Sequence, residues 1–203
     1  MHLERMPRSF YLQPALKVAK ELLGLFLVKR IGRGKLIGRI VEVEAYLGSK
    51  DPASHAYRGK TARNEVMFRK GGHLYVYFTY GMHFCSNVVV EREGIGHAVL
   101  LRAVQPIAGI ERMKHNRRLQ HDDDLTRLCG GPARLCQAFG IARRENGTDL
   151  CGNSIWIACD RDERKRPRPS RSTRVGINVA THHRWRYFLR GSPFVSPGKP
   201  VGG

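Results

Sequence analysis

Two arms rich in aromatic and β-branched residues, L-Y-V-Y-F-T-Y from Leu74 to Tyr80 and F-C-S-N-V-V-V from Phe84 to Val90, flank Gly81. Such arms make good strands, and the break at Tyr80-Gly81-Met82 lets the chain reverse, so the segment predicts a β-hairpin with Tyr80 and Met82 at or near its tip. Upstream, L-I-G-R-I-V-E-V-E-A-Y from Leu36 to Tyr46 alternates with period two. Successive strand side chains point to opposite faces, so Val41, Val43 and Ala45 share one face and Glu42, Glu44 and Tyr46 the other. Two carboxylates and a phenol thus lie side by side on one surface. A fourth strand is expected at Ala98–Ala103.

Helices punctuate the strands. Gln13-Pro14 opens one that Gly24 closes, with Ala15, Leu16, Ala19, Leu22 and Leu23 as its buried stripe. Others are expected at about Pro106–Leu119 and at Pro132–Phe139, the latter ended by Gly140. The segment Asp160–Arg174, D-R-D-E-R-K-R-P-R-P-S-R-S-T-R, has almost no apolar residues and predicts a mobile basic surface loop at about 160–174. Apolar alternation returns at Val175–Val179 and Tyr187–Leu189, which makes the loop an insertion between strands. These elements imply a mixed α/β (α+β) architecture in one domain over 1–203, with a short C-terminal tail at about 197–203.

Charge then narrows the partners. Thirty-six Lys plus Arg against 17 Asp plus Glu give a formal net charge of +19, spread along most of the chain. A basic surface of this kind suits phosphate backbones, whose condensed counterions are released on binding. No apolar run approaches the roughly 20 residues that span a bilayer, and Met1–Pro7 lacks a signal-peptide core, so no membrane role and an intracellular location, with the DNA, are expected. Cys85, Cys129, Cys136, Cys151 and Cys159 are odd in number and never spaced C-x-x-C, so they read as free thiols. His73, His83 and His97 lack metal-ligand spacing and His182-His183 reads as a surface pair; no metal and no cofactor is expected.

A polyanion-binding surface beside clustered tyrosines suggests chemistry on a nucleobase. Excising a purine breaks the glycosidic bond through a cation-like sugar, and a carboxylate can both hold and deprotonate the attacking water. Glu44 and Glu42 are the candidates, Asp51 a weaker third; solvated strand glutamates are the plain alternative. An extruded base must regain stacking, at about 1–3 kcal/mol per base, and Tyr46, Tyr75, Tyr77 and His55 could supply it, although tyrosines in strands also simply pack. Tyr80 at a hairpin tip could wedge into a duplex or pack. Asn87 and Arg102 are polar residues in apolar strands, so each joins a polar network or faces a ligand.

The residues G-R-I-V-E-V-E-A-Y-L-G (Gly38–Gly48), H-L-Y-V-Y-F-T-Y-G-M-H-F-C-S-N (His73–Asn87), V-L-L-R-A (Val99–Ala103), C-G-G-P-A-R-L-C-Q-A (Cys129–Ala138) and R-G-S-P-F-V-S (Arg190–Ser196) together resemble the alkyladenine, or methylpurine, DNA glycosylase family. The resemblance runs from Tyr11 to about Ser196. It implies a curved antiparallel sheet with flanking helices, a hairpin that enters the minor groove, and a monomeric, monofunctional enzyme that flips damaged purines from duplex DNA and leaves an abasic site. By this match Glu44, rather than Glu42, activates the water, and Arg102 and the backbone carbonyl of Val175 help to hold it. Tyr46, His55 and Tyr77 line the base pocket, Asn87 crowds the exocyclic amine of normal guanine, and Tyr80 intercalates with Met82 beside it. The implied substrates are 3-methyladenine, 7-methylguanine, hypoxanthine and ethenoadenine. Against this stand two rival readings: a non-catalytic basic DNA- or RNA-binding protein on the same fold, and a scaffold with a degenerate site.

Overall fold

The period-two stretch at the centre of the sequence becomes the axis of one antiparallel sheet. In the computed structural model, which describes residues 1–119, 124–163 and 168–196, the chain runs through β1 (Leu3–Arg5), α1 (Arg8–Tyr11), α2 (Ala15–Leu22), β2 (Phe26–Ile31), β3 (Gly34–Leu47), β4 (Leu74–Thr79), β5 (His83–Val90) and β6 (His97–Ala108). It continues through α3 (Ile110–Arg117), α4 (Thr126–Cys129), α5 (Pro132–Phe139), β7 (Ile155–Asp160), β8 (Ser170–Ser172) and β9 (Arg186–Phe188). The strand order is β1-β7-β2-β3-β6-β5-β4, with β9 on β3 and β8 on β9, and the sheet does not close on itself.

β3 has more partners than any other strand because it is long enough to divide them. Its first half pairs with β2 and its second half with β9, while β6 follows it on the other side from Ile37↔Ala108 to Leu47↔His97. Register shifts occur at Ile37/Gly38, Ile40/Glu42 and Glu42/Val43. Bulges of this kind bend a strand and re-aim its side chains, and here they fall on the carboxylate-bearing stretch.

The main core lies on the face that carries Val43 and Ala45, where Val18, Ala19 and Leu22 of α2 and Leu135 and Phe139 of α5 cover Leu74, Val76, Val88, Val99 and Leu101. The buried stripe of α2 includes Val18, while Leu16 is only partly buried. A smaller cluster of Ala56, Val66, Met67, Tyr75, Val89 and Ala98 forms separately. Pro132 in the first turn of α5 and Gly140 at φ 60 bound that helix at the expected residues.

Three expectations need correction. The helix expected from Pro106 begins only at Ile110, because β6 runs on to Ala108 and Gly109 makes the turn at φ 76. Pro106, which has no N–H for the ladder, is tolerated there because it sits at a register shift. Val175–Val179 forms no strand; only Arg186–Phe188 enters the sheet in that region. The basic segment is not a free loop from 160 to 174: Asp160 closes β7, Ser170–Ser172 is β8, and Arg174 is fully buried. Residues 164–167 of that segment and the tail at 197–203 lie outside the described residues.

Candidate active site

Glu42 and Glu44 emerge from β3 on the same face, as the alternation predicts, but neither is solvated. Both are fully buried. Oε1 of Glu42 accepts from Arg102 Nε (2.7 Å), Arg186 Nε (2.7 Å) and Ser196 Oγ (2.9 Å), and Oε2 accepts from the Ser196 N–H (2.6 Å). Burial opposes its charge, yet the two guanidiniums and the amide outweigh burial and hold its pKa below the usual carboxylate value. Glu44 has a sparser set of donors. Its Oε1 accepts from the Val175 N–H (2.7 Å) and lies 3.3 Å from Arg102 Nη1, and its Oε2 accepts from the Tyr46 hydroxyl (2.9 Å). Here burial wins over Arg102 and the hydrogen bonds, and the pKa is raised.

Two neighbouring carboxylates are thereby sorted by environment into a locked anion and a group with proton affinity to spare. An ionised carboxylate offers roughly four acceptor positions, and about three of Glu44's are filled, leaving one for a water. Arg102 ties the pair together, with Nη2 also donating to Ser196 Oγ at 3.2 Å. The Val175 contact with Glu44 is made by its amide.

Beside this pair opens a cavity of about 200 Å³. Tyr46, His55, Tyr75, Tyr77, Asn87 and Gly176 are among its walls, and Tyr80 stands at its edge. Tyr75 and Tyr77, both from β4, have rings that stack at 5.6 Å and 27°, and His55 meets Tyr77 edge-on at 4.4 Å. His55 Nδ1 is 3.1 Å from the Tyr75 hydroxyl, so part of its orientation is set by hydrogen bonding. Surrounding protein and nearby Arg63 lower the His55 pKa, which favours the neutral ring. Burial pushes the Tyr75 phenol up to about 12. Asn87, from β5, is buried against β4, with Nδ2 donating to the Tyr75 carbonyl at a long 3.4 Å.

At the hairpin tip Tyr80 is 82% exposed and Met82 70% exposed. Tyr80 also adopts φ 51, a left-handed conformation that costs a non-glycine residue about 1–2 kcal/mol. A large ring that is both strained and exposed is not held there by packing. Met82 lies on the other flank of the hairpin, along a groove with His83 and Phe84.

Of the predicted residues, Glu44, Arg102, Val175, Tyr46, His55, Tyr77 and Asn87 converge around one site, with Tyr80 at its mouth and Met82 beyond. Asp51 is not a third catalytic candidate, because Arg174 grips both of its oxygens (2.5 and 2.8 Å). Sequence reasoning missed Arg174, Arg186 and Ser196. Ser196 closes the R-G-S-P-F-V-S motif and Arg174 precedes Val175, so adjacency to motif residues was the available signal. Among the described residues no group of three His, Cys, Asp or Glu could hold a metal ion, and no helix is long and apolar enough to cross a membrane.

Residues 9–193 match the sequence model of the family described as Methylpurine-DNA glycosylase (MPG). A Burkholderia lata protein named "Putative 3-methyladenine DNA glycosylase" is 47% identical over 192 residues, which cover 94% of this chain and 90% of that protein. Proteins of the same name from Alkaliphilus oremlandii (41% over 201 residues, 95% and 98% covered) and Carboxydothermus hydrogenoformans (44% over 191 residues, 94% and 98%) are also similar. The chain belongs to the methylpurine-DNA glycosylase family. That makes DNA its partner and glycosylase action on alkylated bases its class of reaction.

Proposed function

We propose that the protein acts as a monomer inside the cell, away from membranes, excising damaged purines from duplex DNA by hydrolysis of the N-glycosidic bond. Tyr80, with Met82 alongside, fills the space a flipped nucleotide leaves, offsetting part of an unstacking cost of a few kcal/mol. The extruded base stacks among Tyr46, His55 and Tyr77. Glu44 accepts a proton from the attacking water and stabilises the cationic sugar, while Arg102 and the Val175 carbonyl orient that water. Asn87 excludes normal guanine by crowding its exocyclic amine.

The substrates are 3-methyladenine and 7-methylguanine, whose positive charge makes them good leaving groups, and hypoxanthine and ethenoadenine, which need protonation as they depart. The reaction stops at the abasic site. Strand cleavage through a Schiff base needs an amine nucleophile, and no lysine is among the described residues that line the pocket.

The observation that carries this reading is the split between Glu42, saturated by donors, and Glu44, whose raised pKa and open acceptor position suit a general base. Its test is a labelled duplex bearing one hypoxanthine, run beside methylated DNA and assayed for free base and alkali-labile sites. Product that disappears with Glu44→Gln, while lesion binding survives, supports the assignment. Full activity in Glu44→Gln removes it, and salt-sensitive binding without product on both substrates replaces the enzyme with a binding module.

A further inference from the structure

The segment around Arg174 reads as solvated in sequence, yet its last arginine is among the most deeply buried side chains of the molecule. Arg174 joins three stretches of chain. Its Nη1 donates to the Ala45 carbonyl (3.0 Å), one residue from Glu44. Its Nη1 and Nη2 make the bidentate grip on Asp51, which itself accepts from the Leu47 and Ala53 amides. Nη2 also reaches the Ala180 carbonyl at 3.5 Å, across the loop that carries Val175, Gly176 and Ile177. The guanidinium lies 4.6 Å from the Tyr46 ring centre and 5.1 Å from that of Trp185, and His183 stacks flat on Trp185 at 3.8 Å and 2°.

Both hydrogen bonds that Glu44 receives besides its contact with Arg102 come from residues in contact with this guanidinium or bonded to its residue. Tyr46, which donates to Oε2, is held from behind by the Arg174 plane. Val175, which donates to Oε1, is the next residue in the chain. We propose that Arg174, braced by Asp51, is a positioning residue for the glycosylase reaction: it sets the Tyr46 hydroxyl and the Val175 amide against Glu44 and so fixes the orientation and proton affinity of the base. Only a planar fork can do this, because bidentate pairing with Asp51 fixes the guanidinium plane on which the tyrosine ring rests. The inference rests on Glu44 being the general base.

The test removes the fork without leaving a buried charge. Arg174→Met combined with Asp51→Asn keeps the local net charge unchanged, so a change in Glu44 titration reports geometry. With the Tyr46 and Val175 donors loosened, the Glu44 pKa rises by roughly one unit, the scale of one hydrogen bond to a carboxylate. The acid limb of kcat moves up equally, so kcat falls about tenfold below that limb and recovers at higher pH. Arg174→Lys, which keeps a cation beside Asp51, gives a smaller shift in the same direction. Adding Tyr46→Phe to either variant shifts the limb by less than the sum of the two separate shifts, since the Tyr46 contact is lost in both.

A folded double variant with an unmoved limb overturns the proposal, as does strict additivity with Tyr46→Phe. Should the neutral pair fail to fold, Arg174→Lys carries the same test: a smaller upward shift supports the role and an unmoved limb overturns it. Carboxyl carbon-13 titration of Glu44 gives a second readout that needs no turnover. A wild-type protein that releases no purine therefore sinks the functional reading, while the titration still decides the role of Arg174.

Discussion

Replacing Glu42 with glutamine should weaken the fold and yet make Glu44 easier to ionise, two effects that a simple loss of a catalytic group would not combine. Glu42 accepts three hydrogen bonds on one oxygen and one on the other. A glutamine can place its carbonyl at only one of those positions, so its amide must face either the Ser196 N–H or the pair of arginines, donor against donor. Removing one partner of a buried ion pair costs about 3–5 kcal/mol. For a chain of about 200 residues, at about 2–4 °C per kcal/mol, the melting temperature should fall by about 6–20 °C.

The linkage sign is fixed by Glu42's lowered pKa. A depressed carboxylate contributes stability above its unfolded value, near 4.5, and loses it as pH falls through the lower folded value. The deficit of Glu42→Gln should thus be full at pH 7 and shrink in acid. The Glu42 charge also raises the Glu44 pKa. Neutralising it frees Arg102 to lean on Glu44, so the acid limb of residual activity should move to lower pH. Thermal melts from pH 3 to 8 and a pH–rate profile on a hypoxanthine duplex measure both. A variant as stable as wild type at pH 7, or an acid limb that moves upward, would refute the account of the two carboxylates.

Glu44→Gln should behave oppositely in stability while losing at least about 100-fold in excision rate. Its raised folded pKa penalises the native state once pH exceeds the unfolded value, so at pH 7 the variant should melt at or above the wild-type temperature; a large drop in calorimetry would contradict this. Tyr80→Gly should relieve the left-handed strain, raising stability by about 1 kcal/mol in urea titration, while weakening capture of a lesion duplex. Affinity for undamaged duplex should fall steeply between 50 and 200 mM salt, as expected for a +19 chain; a flat titration would rule out a phosphate-dominated interface.

What was legible in the sequence follows from which residues have one-sided burial. β3 and the hairpin arms present different environments to their two faces, so alternation marks them, and α5 is bounded by Pro132 and Gly140, whose backbone preferences are local. β2 and β7 went unread because Phe26–Lys29 and Ile155–Ala158 are buried throughout, between the main core and the Phe26–Val28–Trp156–Ala158 cluster. Two-sided burial erases the period that distinguishes a strand from a helix. Tyr46, Tyr77 and Asn87 were named because they lie in motif-bearing strands, whereas His55 and Val175 sit in loops that local pattern does not place beside them. Arg174 was lost because its composition is that of a solvated segment, and its partner Asp51 lies 123 residues away.

The same buried contacts explain why the site tolerates a carboxylate it destabilises. Glu44 would be more easily ionised with Glu42's donor set, but a saturated carboxylate has no position left for water and little affinity for its proton. Leaving Glu44 underfilled makes the native state less stable at neutral pH; the compensation is structural, supplied by the Glu42–Arg102–Arg186–Ser196 cluster on one side and the Arg174–Asp51 pair on the other. A locked ion cluster on one side and a locked ion pair on the other thus hold one reactive group between them. Substitutions in either flank should therefore appear first as altered proton affinity of Glu44 and only then as unfolding.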